Sequence, residues 1–321
     1  MTRRTAISAL GATAWLARPA VPQTIGGGPP PKAPVAGPVI CAYSQNLAKV
    51  EYPELGAIAE QMGYDGVDLT VREGGHVSPR VLNVDLVRAI ESVRGTGLEL
   101  PMITTSITSA TDPAAYPILA ITGRTSVHLY RTGQWAYGAG DPARRIGQIR
   151  NDLLNLVFLS QRSEMTAMIS NRAGGNFGES IWDTHSVIGD MDPRWIGYCY
   201  DPSQAVTAGN AAGNAAGNPP GNTAGWEVGL RLALPRLKAV ALQDCVWTKS
   251  GAAWRMEMCP LGEGMVDWAR FFRILADAKF NGPMTVHYEY RAQDELSAMK
   301  KDLDFVRKQV AQAWPANPSR T

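Results

Sequence analysis

The amino-acid sequence predicts an α/β fold, a single (β/α)8 TIM barrel, and two observations carry that prediction. Short apolar runs, typical of strands covered on both faces, alternate with amphipathic helical runs from Val39 onward. Eight such repeats fit into residues 38–312, close to the roughly 250 residues of an ordinary barrel of this type. An open dinucleotide-binding sheet is disfavoured, because no Gly-x-Gly-x-x-Gly follows the first strand.

Eight strands are predicted in chain order. They span residues 39–43, 66–71, 99–104, 126–130, 165–170, 195–200, 238–243 and 284–288. Between the first two, Tyr52, Leu55, Ile58 and Met62 share one helical face, and similar stripes run through 84–90, 146–157 and 271–278. Gly63 follows the first stripe, and glycine accepts the left-handed conformation that ends a helix.

The N-terminus has the layout of a twin-arginine export signal. Arg3 and Arg4 precede an apolar stretch at 6–16 that is too short to cross a bilayer, and small residues follow near Ala20. The alternative is a disordered arm. We expect a signal peptide at 1–21, a Pro/Gly-rich linker at 22–37, the barrel at 38–312 and a tail at 313–321. This organisation predicts an exported, periplasmic protein with no stable membrane insertion after signal cleavage.

A period-four tract of Gly-Asn-Ala-Ala type interrupts the repeat pattern between residues 208 and 225. It contains no large apolar side chain, so it buries too little surface to offset the entropy of ordering. We expect a flexible insertion after the sixth strand, with a lid over the site as the alternative role.

Charge and cysteine content exclude several classes of function. The net charge of +2 comes without a basic block, which argues against a nucleic-acid partner. The four cysteines show no Cys-x-x-Cys spacing, so neither a zinc ribbon nor a disulfide framework is indicated. Cys245 and Cys259 flank one loop and either pair or remain free thiols. The sequence gives no information on oligomeric state.

Acidic residues follow the last three predicted strands: Asp201, Asp244 and Glu289. The carboxyl ends of barrel strands meet at the face where chemistry usually sits. Three facing carboxylates repel one another unless a cation, arginine or protons intervene. The interpretations are therefore a divalent metal, Mg²⁺ or Mn²⁺ given the oxygen ligands, with Gln204 as a weak fourth ligand, or neutralisation by arginine without metal.

Other polar residues fall on the same loop face. The candidate substrate-binding residues are Arg72, Arg131, Asn171, Arg172, Trp247, Lys249, Glu263 and His287. Glu289 and His76 are the candidate proton-transfer groups, although a single histidine such as His76 also suits a structural role. Trp247 either stacks on a sugar or packs in the core.

Several segments, taken together, identify a family. Two are Met62-Gly-Tyr-Asp-Gly-Val-Asp-Leu-Thr-Val-Arg72 and Cys259-Pro-Leu-Gly-Glu-Gly-Met-Val-Asp-Trp268, and shorter ones lie at 74–77, 100–105, 192–197 and 200–201. Over most of residues 39–291 the chain resembles the sugar phosphate isomerase/epimerase family, the xylose isomerase-like TIM barrels. The resemblance implies a divalent metal, often Mn²⁺, a small-molecule carbohydrate substrate, and proton abstraction next to a sugar carbonyl or a related lyase reaction.

The chain also departs from the pattern that this resemblance implies. Gln45-Asn46 replaces Lys-His, Asn171-Arg172 replaces Asn-His, Gln204 ends an Asp-x-x-His motif, Gln243 replaces a lysine, and no Glu ends strand five. Glutamine cannot shuttle a proton at neutral pH. We therefore expect either a metal-dependent isomerase, epimerase or keto-glycoside lyase with a degenerate site, or an exported, catalytically impaired carbohydrate-binding barrel. An apurinic endonuclease is disfavoured because the chain has only four histidines.

Overall fold

A computed structural model describes residues 37–208, 225–251 and 253–315. The predicted signal peptide and nearly all of the linker, the insertion between 209 and 224, and the last residues of the tail lie outside this range. The strands are β1 (Ile40–Tyr43), β2 (Gly66–Thr70), β3 (Glu99–Thr104), β4 (Leu129–Arg131), β5 (Thr166–Ser170), β6 (Ile196–Tyr200), β7 (Leu237–Leu242), β8 (Asp244–Ser250), β9 (Ala253–Cys259) and β10 (Met284–Val286). The α-helices are α1 (Tyr52–Met62), α2 (Leu82–Gly95), α3 (Ala115–Gly123), α4 (Pro142–Arg162), α5 (Ile181–Ile188), α6 (Pro202–Thr207), α7 (Gly225–Ala233), α8 (Trp268–Asp277) and α9 (Glu295–Ala313).

Eight strands close into a parallel barrel in the order β1-β10-β7-β6-β5-β4-β3-β2. Ile40 pairs with Met284 where the first and last strands meet. The predicted (β/α)8 barrel is confirmed. The largest boundary error is in the fourth strand, which begins at Leu129 rather than 126, because Ser126 has a φ of 59° and a strand cannot contain that conformation.

A hairpin that was not predicted follows β7. Strands β8 and β9 pair antiparallel to each other and take no part in the barrel. In β9, exposed Arg255 and Glu257 alternate with partly buried Trp254, Met256 and Met258. This period of two is the signal that identifies the strand. Asp244 consequently begins a hairpin instead of ending a barrel strand.

The core fills the barrel and the layer between strands and helices. Helix α8 places Trp268, Phe271 and Phe272 in one buried aromatic cluster, with ring centroids 5.6–5.9 Å apart. None of the helices in the described ranges is long and apolar enough to cross a membrane. The loops after the barrel strands, at their carboxyl ends, are left to form the site.

Candidate functional site

A cavity of about 560 Å³ lies at the carboxyl ends of the barrel strands. It brings together eight of the residues predicted from the sequence: Arg72, Arg131, Asn171, Arg172, Asp201, Gln204, His287 and Glu289. Tyr43 and Gln243 also line it, together with hydroxyl-bearing side chains such as Thr104 and Thr105. A polar wall with three guanidinium groups suits a small hydroxylated molecule that carries negative charge.

Arg131 extends across the mouth of the barrel. It ends β4, which lies four places from β10 in either direction around the closed barrel. Its Nη1 is nevertheless 3.4 Å from Nε2 of His287, and its guanidinium carbon is 5.1 Å from the centre of the Tyr43 ring. Burial opposes the charge of this guanidinium, but Tyr43 and Asp68 outweigh that effect and raise the pKa of Arg131.

His287 connects Arg131 to Glu289. Its side chain is 3% exposed and stacks parallel on Tyr43 at 3.9 Å, with Nδ1 3.6 Å from Oε1 of Glu289. Burial lowers the pKa of His287 to about 4, so the imidazole is neutral at pH 7. Because Nε2 faces a guanidinium that can only donate, the imidazole proton belongs on Nδ1, towards Glu289.

Glu289 presents its carboxylate to the cavity, with 44% of the side chain exposed. The contact with His287, reinforced by the charges of Arg172 and Arg131, holds the pKa of Glu289 below its usual value. It is therefore a carboxylate at neutral pH. This is the form that accepts a proton.

Asp201 caps the start of α6 and is buried. Its Oδ1 accepts hydrogen bonds from the backbone N–H and hydroxyl of Ser203 and from the N–H of Gln204, while Oδ2 accepts one from the amide of Gln243. Burial raises the pKa of Asp201 to about 6. The side chain of Asn171 bonds the backbone N–H and C=O of Asp201, each at 2.8 Å. Both carboxylate oxygens are thus occupied by donors.

Two of the glutamines that line the cavity, Gln204 and Gln243, differ in whether the side-chain oxygen is hydrogen-bonded. Oε1 of Gln204 accepts the N–H of Ala173 at 3.1 Å. Oε1 of Gln243 is buried and has no hydrogen-bond partner within the described residues. An unpaired buried acceptor is costly, so this oxygen is the natural partner for a hydroxyl of a bound ligand.

Asp244 does not meet the expectation that it converges with Asp201 and Glu289. It is 0% exposed and does not line the cavity. Its two oxygens accept hydrogen bonds from the backbone N–H groups of Cys245, Gly262, Gly264 and Val266 and from the indole of Trp268. The Gly-rich turn is therefore a nest for an anion, and the protein's own carboxylate fills it.

His76 also has a structural position rather than one in the cavity. Its Nε2 lies 3.1 Å from the carbonyl oxygen of Leu47 and 3.0 Å from that of Val50. Burial lowers the pKa of His76, so the neutral ring donates from Nε2 to these carbonyls. It ties the loop after β1 to the loop after β2 and is not one of the cavity residues.

Trp247, Lys249 and Glu263, predicted to contact substrate, lie away from the cavity. The first two lie on the β8–β9 hairpin, where the amine of Lys249 is 5.9 Å from the centre of the Trp254 ring. Glu263 is exposed and borders a separate depression beside α9. The hairpin, which was not predicted from the sequence, removes Trp247 and Lys249 from the barrel mouth.

The residues of the cavity do not fit the divalent metal that the family resemblance implies. Across the described ranges, no group of three or more His, Cys, Asp or Glu side chains is placed to hold a metal. The carboxylate oxygens of Asp201 and Asp244 face N–H and O–H donors, and Nε2 of His287 faces Arg131. A cation at this place would compete with these donors for the same oxygens. Within the described residues, the structure therefore does not bring Asp201, Asp244 and Glu289 together as ligands of one metal.

Two residues beneath and beside the cavity were missed in the sequence. Asp68 is fully buried in β2, accepts a hydrogen bond from Thr104 at 2.8 Å, and has its pKa raised by burial. A single acid between Val67 and Leu69 in an apolar strand is the signal that could have identified it. Tyr43, at the end of β1, carries no such signal, because aromatic residues are ordinary in strands.

Comparison with known proteins places this geometry in a family. The family model of xylose isomerase-like TIM barrels matches residues 57–309. No curated protein sequence matches the chain. A xylose isomerase-like TIM barrel protein from Mycobacterium smegmatis, in complex with magnesium, is 13% identical with a TM-score of 0.64, over 86% of this chain and 97% of that one.

Two sugar epimerases share the fold at the same identity. The 3-keto-D-glucoside 4-epimerase from E. coli is 13% identical with a TM-score of 0.63, over 84% of this chain and 99% of that one. The D-allulose 3-epimerase from Methylomonas sp., in complex with D-allulose, is 13% identical with a TM-score of 0.62, over 85% and 97%. Likeness at this identity establishes the fold alone. The family model, however, covers most of the sequence, and the chain therefore belongs to the xylose isomerase-like TIM barrels.

Proposed function

We propose that this protein is a sugar isomerase- or epimerase-like enzyme that acts on a small carbohydrate bearing an anionic group. One observation carries the proposal: the carboxylate of Glu289 and the guanidinium groups of Arg131 and Arg172 line a single polar cavity at the carboxyl ends of the barrel strands. A base beside fixed positive charge is the combination that proton abstraction next to a carbonyl requires.

In the proposed reaction, Glu289 removes a proton from the carbon next to the carbonyl. The C–H electron pair forms the C=C bond of an enediolate, and the carbonyl oxygen takes the negative charge next to Arg131 and Arg172. Glu289, whose proton exchanges with solvent, then protonates the former carbonyl carbon, and the proton of the adjacent hydroxyl passes to the former carbonyl oxygen. The carbon that lost its hydrogen becomes the new carbonyl, which completes an isomerisation with one base. Triosephosphate isomerase likewise combines a glutamate base with a neutral histidine. Here the neutral His287 positions Glu289, while the arginines supply the electrostatic stabilisation.

The remaining cavity groups suit the hydroxyls of a sugar. Among the described residues, Oε1 of Gln243 has no partner and can accept a hydrogen bond from a sugar hydroxyl. Nη2 of Arg72 donates to Tyr43 Oη and Gln45 Oε1 at 3.2 Å each. Its other N–H groups have no hydrogen-bond partner among the residues that the structure describes, and they can bind an anionic substituent. This arrangement favours sugar acids or sugar phosphates over neutral sugars.

The residues at the end of β5 favour a second candidate function, a barrel that binds a carbohydrate without catalysing a reaction. The cavity residues there are Ser170, Asn171 and Arg172, none of which is a base at neutral pH. A two-base epimerisation therefore lacks its second base. A keto-glycoside lyase needs only the first base and is distinguished by its unsaturated product.

Exchange of substrate hydrogen with deuterium tests the proposal. Protein in D₂O is incubated with D-glucuronate, D-ribose 5-phosphate and D-fructose, and loss of the proton next to the carbonyl is followed by NMR. Binding of these sugars, and of D-gluconate, which has no aldehyde or ketone, is measured by calorimetry. We expect exchange with an anionic keto or aldo sugar. Glu289→Gln should reduce it about 10³-fold and leave binding nearly unchanged.

Glu263→Gln, an exposed acid outside the cavity, is the matched control and should retain full exchange. Binding of an anionic sugar without exchange in the wild type would select the second candidate. Absence of binding across the panel would contradict both candidates.

We also propose export by the twin-arginine route, on the basis of Arg3-Arg4 and the short apolar stretch that follows. Replacement of both arginines by lysine should retain the protein in the cytoplasm of a host with that pathway. Cell fractionation with an immunoblot measures the result, and unchanged export would contradict the proposal.

A further inference from the structure

We infer that the guanidinium of Arg131 takes the central position in this barrel, where the family resemblance implies a divalent cation. The positive charge of the arginine then holds the ligand, and no metal is required. The part of this inference that concerns the ligand rests on the proposed function. The part that concerns the metal can be tested without any ligand.

The position of the guanidinium follows from the strand order. Arg131 starts from β4, and both groups that it contacts are on the far side: Tyr43 on β1 and His287 after β10. A side chain from β4 that meets side chains from β1 and from beyond β10 extends over the interior of the barrel. The charged group therefore lies towards the middle of the cavity mouth.

The surrounding groups are arranged for a guanidinium. Nε2 of His287 faces Nη1 of Arg131 at 3.4 Å, and the Tyr43 ring offers its face at 5.1 Å. A ring face and an imidazole lone pair are both ordinary partners of arginine. The carboxylates of Asp68 and Glu289 balance its charge from below and from the cavity rim.

The oxygens of two candidate metal ligands, Asp201 and Gln204, are already bonded. Oδ1 of Asp201 accepts three hydrogen bonds, and Oδ2 accepts the amide of Gln243. Oε1 of Gln204 is bonded to the backbone of Ala173. To bind a cation, the cavity would have to break several of these bonds and place a second positive charge near Arg131.

The replacement has a consequence for the ligand. Arginine is charged at every physiological pH, and its planar fork binds two oxygens of a carboxylate or phosphate, or an enediolate oxygen, without metal. A sugar whose anionic oxygens reach the barrel axis is therefore the class that this site takes.

Mn²⁺ alone provides the first test. The full-length protein is purified without chelator, its metal content is measured by mass spectrometry, and it is then titrated with Mn²⁺ while electron paramagnetic resonance reports free ion. We expect no stoichiometric metal as purified and no saturable site up to millimolar Mn²⁺. One bound Mn²⁺ per chain that is lost in Asp201→Asn would overturn the inference and would leave the proposed sugar chemistry standing.

Anionic sugar binding provides the second test, with D-gluconate, D-glucuronate and D-ribose 5-phosphate as probes in the presence and absence of EDTA. Affinity should be unchanged by EDTA, and Arg131→Met should weaken it about 100-fold, as expected for loss of two charge-assisted hydrogen bonds. Arg88→Met, on the exposed face of α2, is the matched control and should bind normally.

Arg131→Lys is the control for misfolding, because lysine keeps the positive charge but lacks the planar fork of arginine. This variant should unfold at the wild-type temperature and should recover only part of the affinity that Arg131→Met loses. Loss of affinity in EDTA that Mn²⁺ restores would overturn the inference. If no probe binds under either condition, the proposed function fails, and the Mn²⁺ titration still decides the question of the metal.

Discussion

Replacing Asp244 by alanine distinguishes a structural acid from a metal ligand. In the structure this carboxylate is 0% exposed and holds the turn that connects the hairpin to α8. Alanine removes both oxygens and leaves their five donors without partners. We therefore expect a large loss of stability in protein that contains no metal at all.

The size of this stability loss depends on which of the five donors cannot reach water in the variant. Cys245, Val266 and Trp268 are buried, whereas Gly262 and Gly264 reach solvent and can bond to water. An unsatisfied buried donor costs about 1–3 kcal/mol, so three of them lower the free energy of unfolding by roughly 3–9 kcal/mol. For a chain of this size, that corresponds to a fall of about 10 °C or more in the unfolding temperature.

Urea and thermal unfolding, each followed by circular dichroism with and without EDTA, measure this effect. Glu263→Ala changes an exposed acid in the same turn and should alter stability by less than about 0.5 kcal/mol. An Asp244→Ala protein with wild-type stability in EDTA, destabilised only relative to a metal-loaded wild type, would refute the structural role.

Three further changes test other parts of the site. Burial depresses the pKa of His287 from 6.5 to about 4, so its contribution to stability is full above pH 6.5 and is lost as the pH falls towards 4. Between pH 7 and pH 4, the free energy of unfolding in urea should therefore fall by about 3 kcal/mol more in the wild type than in His287→Gln. Parallel pH profiles of the two proteins would contradict this. Asn171→Ala leaves the buried backbone N–H of Asp201 without its partner and removes one of the two hydrogen bonds to the C=O of Asp201, which keeps the N–H of Ala205. This should lower the free energy of unfolding by about 2 kcal/mol in urea titrations; an effect under about 0.5 kcal/mol would show that water replaces the amide. A Cβ at Gly264 would lie 2.1 Å from Oδ1 of Asp244, so Gly264→Ala should reduce the unfolding temperature by several degrees, while Gly140→Ala, in open space, should leave it unchanged.

The repeat pattern in the sequence was sufficient to predict the barrel. Short apolar runs recur eight times along the chain, amphipathic stripes follow several of them, and local periodicity of this kind reports burial directly. The same reading placed Arg72, Arg131 and Glu289 at strand ends, and strand ends in a parallel barrel necessarily share one face. These residues do line a common cavity.

The sequence could not determine where each strand-end side chain points or which atoms it contacts. Asp201, Asp244 and Glu289 follow neighbouring barrel strands, yet Asp244 is enclosed by its own turn, Asp201 caps a helix, and only Glu289 is a partly exposed cavity acid. The hairpin, which displaces Trp247 and Lys249, is stabilised by its pairing with itself and leaves no trace in the barrel periodicity.

What the sequence by itself determined is thus the architecture and the set of polar residues at its functional face. Tertiary structure alone decided that Arg131 spans the barrel to His287, that the lone pairs of Asp201 are already occupied, and that the Gly-rich turn binds the carboxylate of Asp244. The physical reason is one of range: periodicity records burial within a few residues along the chain, whereas hydrogen bonds and charge pairs depend on distances between groups that are remote in sequence.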